Sequence, residues 1–320
     1  GAYQISFATE NSLAYANSGA MNVTASAVAV AATGKSGASA DADGYFALVG
    51  GNGTVPVSNS GDINVSAFAS APSFPNAVAG GLRINASAAG TETGALSGTV
   101  ANSGSINVVA QAVGGTFTSV VGTETLTGVL GAAQATGIEI NSGLSNLTVD
   151  NSGSINVDAI TANGDLNTLT GTPNASAVGI LVTSNGTLGV PTTELFTLNN
   201  SGDIIVRVSG DGGDTFRRGM AIDVEAAATP TELNLLGGGN IYGNISVEAD
   251  DIINVDNGIT NFDGIIDPEF LPVGGVTLAD LDTGLAGEAT LNITSDGNLV
   301  LLDPRVSGDP DTYDGPSYVF

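Results

Sequence analysis

The acidic side chains are the residues of this sequence whose chemistry stands out. The chain has 320 residues, with 32 Asp and Glu against six Lys and Arg, and it contains no His and no Cys. Without His or Cys, no Ser–His or Cys–His nucleophile pair can form, and the commonest zinc ligands are missing. Carboxylates alone could bind calcium or, as a suitably spaced pair, hydrolyse a glycosidic bond. These two kinds of chemistry are therefore the ones to weigh.

Calcium is the ligand that the acidic clusters favour. Asp309, Asp311 and Asp314 form the pattern Asp-Pro-Asp-x-x-Asp-Gly, and shorter acidic clusters lie at 41–44 and 250–256. Calcium takes six to eight oxygen ligands from carboxylates and turn carbonyls. None of the clusters has the EF-hand spacing or the nonapeptide calcium-coil repeat, so solvated acidic loops are the alternative. The sequence implies no resident cofactor, with calcium at 309–314 as the one candidate.

Catalysis by clustered charges has a single candidate loop, in which Arg217 and Arg218 follow Asp211 and Asp214. A solvated loop that partly balances its own charge explains these residues better than a catalytic cluster does. No pair of carboxylates has a defined spacing. We therefore expect the chain not to be an enzyme, and a polysaccharide-active enzyme is the weaker alternative.

Internal repeats show how the chain must be organised. The pattern Asn-Ser-Gly-x-(Ile/Met)-x-Val begins at five positions spaced 42 to 49 residues apart, and a degenerate sixth copy follows near 240. The five starts are Asn17, Asn59, Asn102, Asn151 and Asn200. A second motif, Gly followed by alternating apolar residues, lies between the copies at 81–84, 137–140, 179–182 and 219–222. Repeats of this length are typical of solenoids and propellers.

Both motifs predict a turn followed by a strand. Asn and Gly tolerate left-handed backbone angles, which suits a tight corner, and Ile-x-Val places two branched side chains on one face of a strand. A propeller is disfavoured because the chain has few aromatic residues and no Trp. The pattern therefore predicts an all-β parallel β-helix, right-handed, with one coil or two per repeat. The alternative to stacked corners is a series of separate surface hairpin turns.

Stacked corners would place the five repeat asparagines in register, about 4.8 Å apart, so that their amides form a hydrogen-bonded ladder. We predict this ladder at Asn17, Asn59, Asn102, Asn151 and Asn200. The solenoid repeats are predicted to occupy residues 1–250. Residues 251–320 are more acidic and less regular, and we expect them to continue or cap the solenoid.

The repeats resemble the passenger regions of bacterial autotransporters, which are type V secreted proteins. The resemblance lies in Asn-Ser-Gly-x-Ile segments alternating with Gly-Ile-x-Val segments, and in the segments 287–293, 297–301 and 314–320. It implies a non-catalytic, adhesin-like stalk located outside the cell at the bacterial surface. Its partner would be a host or neighbouring-cell surface. We expect the chain to be a fragment of a longer precursor.

Charge and the apolar ends of the chain bear on other partners. The net charge of −26 disfavours nucleic acid and anionic membranes, and no stretch approaches a membrane helix in length. The alternative function is a self-assembling subunit of an extracellular fibre or layer, joined end to end through terminal strands. The side chains predicted to mediate this contact are Tyr3, Ile5, Phe7, Tyr318 and Phe320.

Overall fold

Every element in the described part of the chain is a β-strand. The computed structural model describes residues 1–6, 11–30, 37–87, 94–114, 116–121, 124–129, 131–143, 145–162, 175–183, 195–227, 229–247, 251–264, 266–267, 290–293 and 297–301. The strands of the first four turns of the chain are β1 Ala2–Ser6, β2 Asn11–Ser12, β3 Tyr15–Asn17, β4 Ala20–Val28, β5 Gly37–Gly50, β6 Gly53–Thr54, β7 Val57–Asn59, β8 Asp62–Ala71, β9 Phe74–Ser87, β10 Leu96–Asn102, β11 Ser105–Gly114, β12 Thr116–Val121, β13 Glu124–Val129, β14 Ala132–Asn141, β15 Ser145–Asn151 and β16 Ser154–Thr161. The later strands are β17 Ala175–Thr183, β18 Phe196–Asn200, β19 Asp203–Ser209, β20 Arg217–Arg218, β21 Met220–Ala226, β22 Thr231–Leu235, β23 Asn240–Tyr242, β24 Asn244–Ser246, β25 Ile252–Val255, β26 Gly258–Asp263, β27 Ile266–Asp267, β28 Thr290–Ile293 and β29 Gly297–Leu301.

Apart from the antiparallel pair β12–β13 and the short β20, which pairs antiparallel with β19, the strands form three long parallel sheets. Sheet A has the order β1-β5-β9-β14-β17-β21-β24-β27, and sheet B runs from β2 through β6, β10, β15, β18, β22 and β25 to β28, with β3 and β7 alongside. Sheet C has the order β4-β8-β11-β16-β19-β23-β26-β29. The chain visits A, B and C in turn and then returns to A one coil further on. This arrangement is a parallel β-helix, which confirms the predicted fold class.

Each sequence repeat makes one coil of three strands. Asn17 pairs with Asn59, Asn59 with Asn102, Asn102 with Asn151, and Asn151 with Asn200, so successive repeats stack in register. Further on, Asn234 and Asn254 occupy equivalent positions only 20 residues apart. A coil therefore needs about 20 residues, and the longer repeats contain insertions. We number the coils 1 to 8; they span 2–28, 37–71, 74–114, 132–161, 175–209, 220–242, 244–263 and 266–301.

The core is a narrow set of columns inside the three sheets. In the sheet C column, Ile63, Ile106 and Ile155 are all fully buried, and side chains alternate between buried and outward along each strand. Burying one isoleucine stabilises the fold by about 1.5–3 kcal/mol. Buried alanines fill the next inward positions of the same strands. Tyr45, Phe196 and Phe262 are the largest fully buried side chains.

The corner glycines are required by close stacking and not by backbone angle. Gly61, Gly104, Gly153 and Gly202 do not have positive φ values, so the left-handed corner expected from the sequence is wrong. Instead, a Cβ on any of them would lie 2.0–2.1 Å from the carbonyl oxygen of the equivalent glycine in the preceding coil. No side chain fits there.

The glycines of the second motif have a similar explanation. A Cβ on Gly81 or Gly137 would lie 2.6 Å from an isoleucine Cγ2 of sheet C, across the core. Gly44 and Gly179 occupy the same column in neighbouring coils and meet the same obstruction at 2.7 Å. The glycines of the second motif thus let sheets A and C pack directly against each other, whereas the corner glycines let successive coils stack closely.

The described strands after residue 251 continue the same three sheets. β25 and β28 extend sheet B, β26 and β29 extend sheet C, and β27 extends sheet A, all in parallel register. The degenerate sixth repeat is a true corner, because Gly239 stacks on Gly202. Its ladder position is occupied by Leu235, which pairs with Asn200.

Candidate functional site

The five predicted asparagines form one continuous ladder, which we call the corner ladder. Asn17 Nδ2 donates to Asn59 Oδ1, and the same bond recurs from Asn59 to Asn102, Asn102 to Asn151 and Asn151 to Asn200, at 2.7–2.8 Å. The last four asparagines are each 1% exposed. A buried amide without a partner would cost about 1–3 kcal/mol, so the ladder fixes the register between coils.

A second ladder runs along the outer face of sheet C. Asn64 Nδ2 donates to Asn22 Oδ1 at 3.0 Å, Asn107 donates to Asn64 at 2.8 Å, and Asn156 donates to Asn107 at 2.9 Å. The donors point toward coil 1, opposite to the corner ladder. We did not predict this row, although the Asn at the second variable position of four repeats was a visible indication.

A third row of amides links coils 4 to 7 on sheet B. Asn199 Nδ2 donates to Asp150 Oδ1, Asn234 to Asn199, and Asn254 to Asn234, at 2.8–2.9 Å. This row begins where the corner ladder approaches its end at Asn200. Side-chain ladders therefore connect coils 1 through 7 without interruption, and they link each described coil to the next along the solenoid axis.

A partly buried ion cluster lies on the outer face of sheet A. Arg83 Nη1 lies 3.1 Å from Asp43 Oδ1, and Arg83 Nε lies 2.8 Å from Glu139 Oε2, so one guanidinium joins coils 2, 3 and 4. Burial raises the pKa of Asp43, while the charge of Arg83 and its hydrogen bond act in the opposite direction. Arg83 and Glu139 also line a shallow groove of about 280 Å³ whose other walls include Val78, Val178 and Leu181.

Beside this groove, Arg83 brings two carboxylates together. Asp43 and Glu139 are both bonded to the same guanidinium, an arrangement that holds coils in register. A glycosidase would need one carboxylate to donate a proton and the other to attack or to activate water. As arranged, both carboxylates already have a cation as partner. No local sequence pattern indicates this cluster, because Asp43 and Glu139 lie 40 and 56 residues from Arg83.

The predicted arginine-rich loop is divided among separate contacts. Arg218 pairs with Asp263 two coils further on. Asp211 accepts hydrogen bonds from the Thr215 hydroxyl, from Thr215 N at 3.0 Å and from Ser209 Oγ at 2.7 Å, and these bonds hold its pKa well below the usual range. Neighbouring Arg207 makes a bidentate pair with Asp158, with both N–O distances 2.8 Å. The residues stabilise the loop and the stack of coils.

The predicted calcium ligands Asp309, Asp311 and Asp314 lie outside the described residues. Of the shorter clusters, Asp43 binds Arg83, and Asp251 is buried and accepts a hydrogen bond from Thr231 N at 2.7 Å. Among the described residues, no group of three or more acidic side chains is arranged to hold a metal ion. Calcium binding at 309–314 remains a prediction.

Tyr3 and Ile5, predicted to mediate end-to-end contacts, lie on the outer face of sheet A, along the side of the solenoid. Tyr3 and Ile5 are 61% and 60% exposed and, with Phe46 and Leu48 of coil 2, form an apolar patch on the outer face of sheet A. Tyr3 and Phe46 have ring centroids 5.9 Å apart. Phe7, Tyr318 and Phe320 lie outside the described residues. No helix with the length and apolar character of a membrane span occurs in the described part of the chain.

Comparison of the chain with models of protein families, with curated proteins and with solved structures finds no match.

Proposed function

We propose that this chain is a non-catalytic structural protein of the bacterial cell surface, a rigid β-solenoid stalk that presents variable loops to a host or neighbouring cell. One observation carries the proposal. The connection from sheet B to sheet C is Ser-Gly in each of the first five coils, whereas the other two connections differ in length from coil to coil.

The variation is large at the connection from sheet C to sheet A. It is Pro72–Ser73 between β8 and β9, Gly243 alone between β23 and β24, and residues 115–131, with the hairpin β12–β13, between β11 and β14. A solenoid tolerates such insertions because each coil is stabilised by contacts with its neighbours and not by its loops. A constant rod with variable projections suits a protein whose work is done at loops.

The charge and the amide ladders support the same role. A net charge of −26 keeps neighbouring copies apart in solution, and buried amide ladders resist sliding of one coil against the next. Together with the sequence resemblance to autotransporter passengers, these features favour a stalk in the extracellular space.

Loop exchange tests the proposal. In one variant, residues 115–131 are replaced by Pro-Ser, copying the short connection between β8 and β9. We expect its melting temperature, followed by circular dichroism, to stay within a few degrees of that of the natural chain. As the matched control, the same segment is inserted between Ser103 and Gly104, where stacking is tight, and this variant should be strongly destabilised.

Cell binding gives the functional measurement. Fluorescently labelled chain, incubated with cultured bacterial and epithelial cells, is expected to bind at least one of them, and a variant with shortened loops should bind less. Binding that is absent from the natural chain, or retained in full by the shortened one, would contradict the adhesive stalk.

The second candidate is a self-assembling subunit, and the exposed patch of Tyr3, Ile5, Phe46 and Leu48 favours it. Because these side chains face outward from sheet A, association through them would be side by side, not end to end. Analytical ultracentrifugation of the natural chain and of a Tyr3→Ser/Ile5→Ser variant distinguishes the two candidates. A concentration-dependent oligomer that the variant lacks would favour the assembly role.

A further inference from the structure

Coil 1 leaves its share of the core partly uncovered. Met21, Val23, Ala25 and Ala27 point inward like their coil 2 partners, but each is only half-buried. The coil 2 partners Ile63, Val65, Ala67 and Ala69 are at most 2% exposed. We call the free side of β1, β2, β3 and β4 the N-terminal edge, because no described strand pairs with it.

The corner ladder is open at this edge and has a direction. Each asparagine donates its Nδ2 to the next coil and accepts at Oδ1 from the coil before it. Asn17 donates to Asn59, but its Oδ1 has no ladder donor among the described residues and meets only a long contact of 3.4 Å from Gly19 N. In the sheet C row, Asn22 accepts from Asn64, and its own Nδ2 is directed to the same edge.

Gly19 gives an independent observation. In coils 2 to 5 a Cβ on the corner glycine would collide with the carbonyl oxygen of the glycine one coil before. A Cβ on Gly19 would have nothing within 4 Å, and Gly19 does not have a positive φ. Within the described structure, neither space nor backbone angle explains a glycine at this position. A coil stacked on the N-terminal edge would explain it, since its glycine carbonyl would then fill the space.

We infer that the N-terminal edge is a binding surface for a further coil of the same repeat type, with asparagine at the corner, glycine two residues later and apolar residues at the inward positions of the next strand. The asparagine side chain would donate to Asn17 Oδ1, and its backbone carbonyl would accept from Ser18 N. The carbonyl of the following glycine would accept from Ala20 N, as Gly19 O accepts from Asp62 N in the next coil, and the strand would cover Met21 and Val23. This inference does not depend on the proposed surface role.

The chain's own last coils do not meet this specification. The positions equivalent to Asn17 are Leu235, Val255 and Ile293 in coils 6, 7 and 8. None of these side chains can donate a hydrogen bond to Asn17 Oδ1, so stacking coil 8 of one copy on coil 1 of another would bury that oxygen without a partner. Two copies joined end to end are therefore not the occupant that this edge selects.

A peptide provides the first test. A labelled peptide with the sequence of residues 54–71, which contains the coil 2 corner and β8, is titrated into the intact chain and followed by fluorescence anisotropy. We expect one peptide to bind per chain. The same peptide carrying Asn59→Leu should bind at least tenfold more weakly, because Asn17 Oδ1 then loses its donor.

Two variants of the intact chain separate binding from folding. Gly19→Ala should leave the melting temperature unchanged, because its Cβ meets nothing, yet it should abolish peptide binding. Asn17→Leu should reverse the preference, so that the Asn59→Leu peptide binds more tightly than the natural one. Peptide binding that is unaffected by both variants would overturn the inference.

If the free peptide is too flexible to bind, a fusion of an extra coil to the chain still tests the inference. Residues 37–73 are repeated ahead of Gly1, and hydrogen exchange of residues 18–28 is measured by mass spectrometry. We expect exchange at least tenfold slower than in the natural chain, and a smaller effect when the added copy carries Asn59→Leu. Unchanged exchange in the fusion refutes the inference, as do fibres of the natural chain in which its own last coil protects residues 18–28.

Discussion

Replacing Asn102 by alanine removes the central member of the corner ladder. Asn102 Oδ1 accepts from Asn59 Nδ2, and Asn102 Nδ2 donates to Asn151 Oδ1, both at 2.8 Å, and all three side chains are 1% exposed. The variant leaves an amide hydrogen of Asn59 and the amide oxygen of Asn151 without their ladder partners. Because water has no access to these atoms in the folded chain, neither loss is compensated by solvent.

The expected loss of stability follows from these two atoms. A buried polar group deprived of its partner costs about 1–3 kcal/mol. Asn59 Nδ2 retains a second acceptor, Ser105 O at 3.3 Å, which reduces its share. We therefore expect Asn102→Ala to lower the free energy of unfolding by about 2–4 kcal/mol. In a cooperative chain of this size, that corresponds to a melting temperature lower by about 3–6 °C.

Asn107→Ala is the matched control, since Asn107 has the same two ladder bonds on the solvent side of sheet C. Water can replace those bonds, so the expected loss is below about 1 kcal/mol. Urea unfolding followed by circular dichroism measures both variants. If the two lose equal stability, burial is not what gives the corner ladder its importance, and the reasoning fails.

Three further predictions address other parts of the solenoid. Gly137→Ala should destabilise the chain by more than about 3 kcal/mol in urea unfolding, because its Cβ would lie 2.5 Å from a carbonyl oxygen and 2.6 Å from an isoleucine methyl; a stable variant would contradict the packing described. Arg83→Gln should lower the free energy of unfolding only slightly near pH 3 and by about 1–3 kcal/mol at pH 7. Burial raises the pKa of Asp43, and its ionised form dominates only once the pH has risen through that pKa. In the variant this ionised carboxylate would lack the cation that pairs with it. A penalty that does not depend on pH would count against this ion cluster. Burial raises the pKa of Tyr45 to about 12, so absorbance at alkaline pH should show a late-ionising tyrosine that Tyr45→Phe removes; stability should fall between pH 10 and 12, where the unfolded chain ionises this residue and the folded chain does not.

The corner ladder could be predicted because its information is local and repeated. Five copies of Asn-Ser-Gly-x-(Ile/Met)-x-Val predict the corner, the strand and its inward face. If equivalent positions of successive repeats stack in register, Asn17 then lies over Asn59. The sequence also contained the sheet C row, in which Asn22, Asn64 and Asn107 follow each corner at a fixed distance. It was missed because an outward position was treated as free to vary.

The physical role of the corner glycine was not predictable in the same way. Glycine permits both a left-handed backbone and a close approach, and the sequence does not distinguish them. Only the stacked coils show that the carbonyl oxygen of Gly61 occupies the place where a Cβ of Gly104 would lie. The number of coils per repeat was likewise open until the 20-residue spacing of Asn234 and Asn254 defined the minimal coil.

The sequence by itself determined the strands, their inward faces and the stacking of the repeats, because period-two alternation and corner residues act over a few neighbouring positions. The tertiary structure decided which outward side chains meet. Arg83 reaches Glu139 across 56 residues, and Arg218 reaches Asp263 across 45. Those pairings depend on the combined length of the insertions between the coils, and no local sequence pattern contains that information. The same stacking decided that, among the described residues, coil 1 has an open ladder and an uncovered strand. Its own residues resemble those of the other repeats, and only its place in the described solenoid differs.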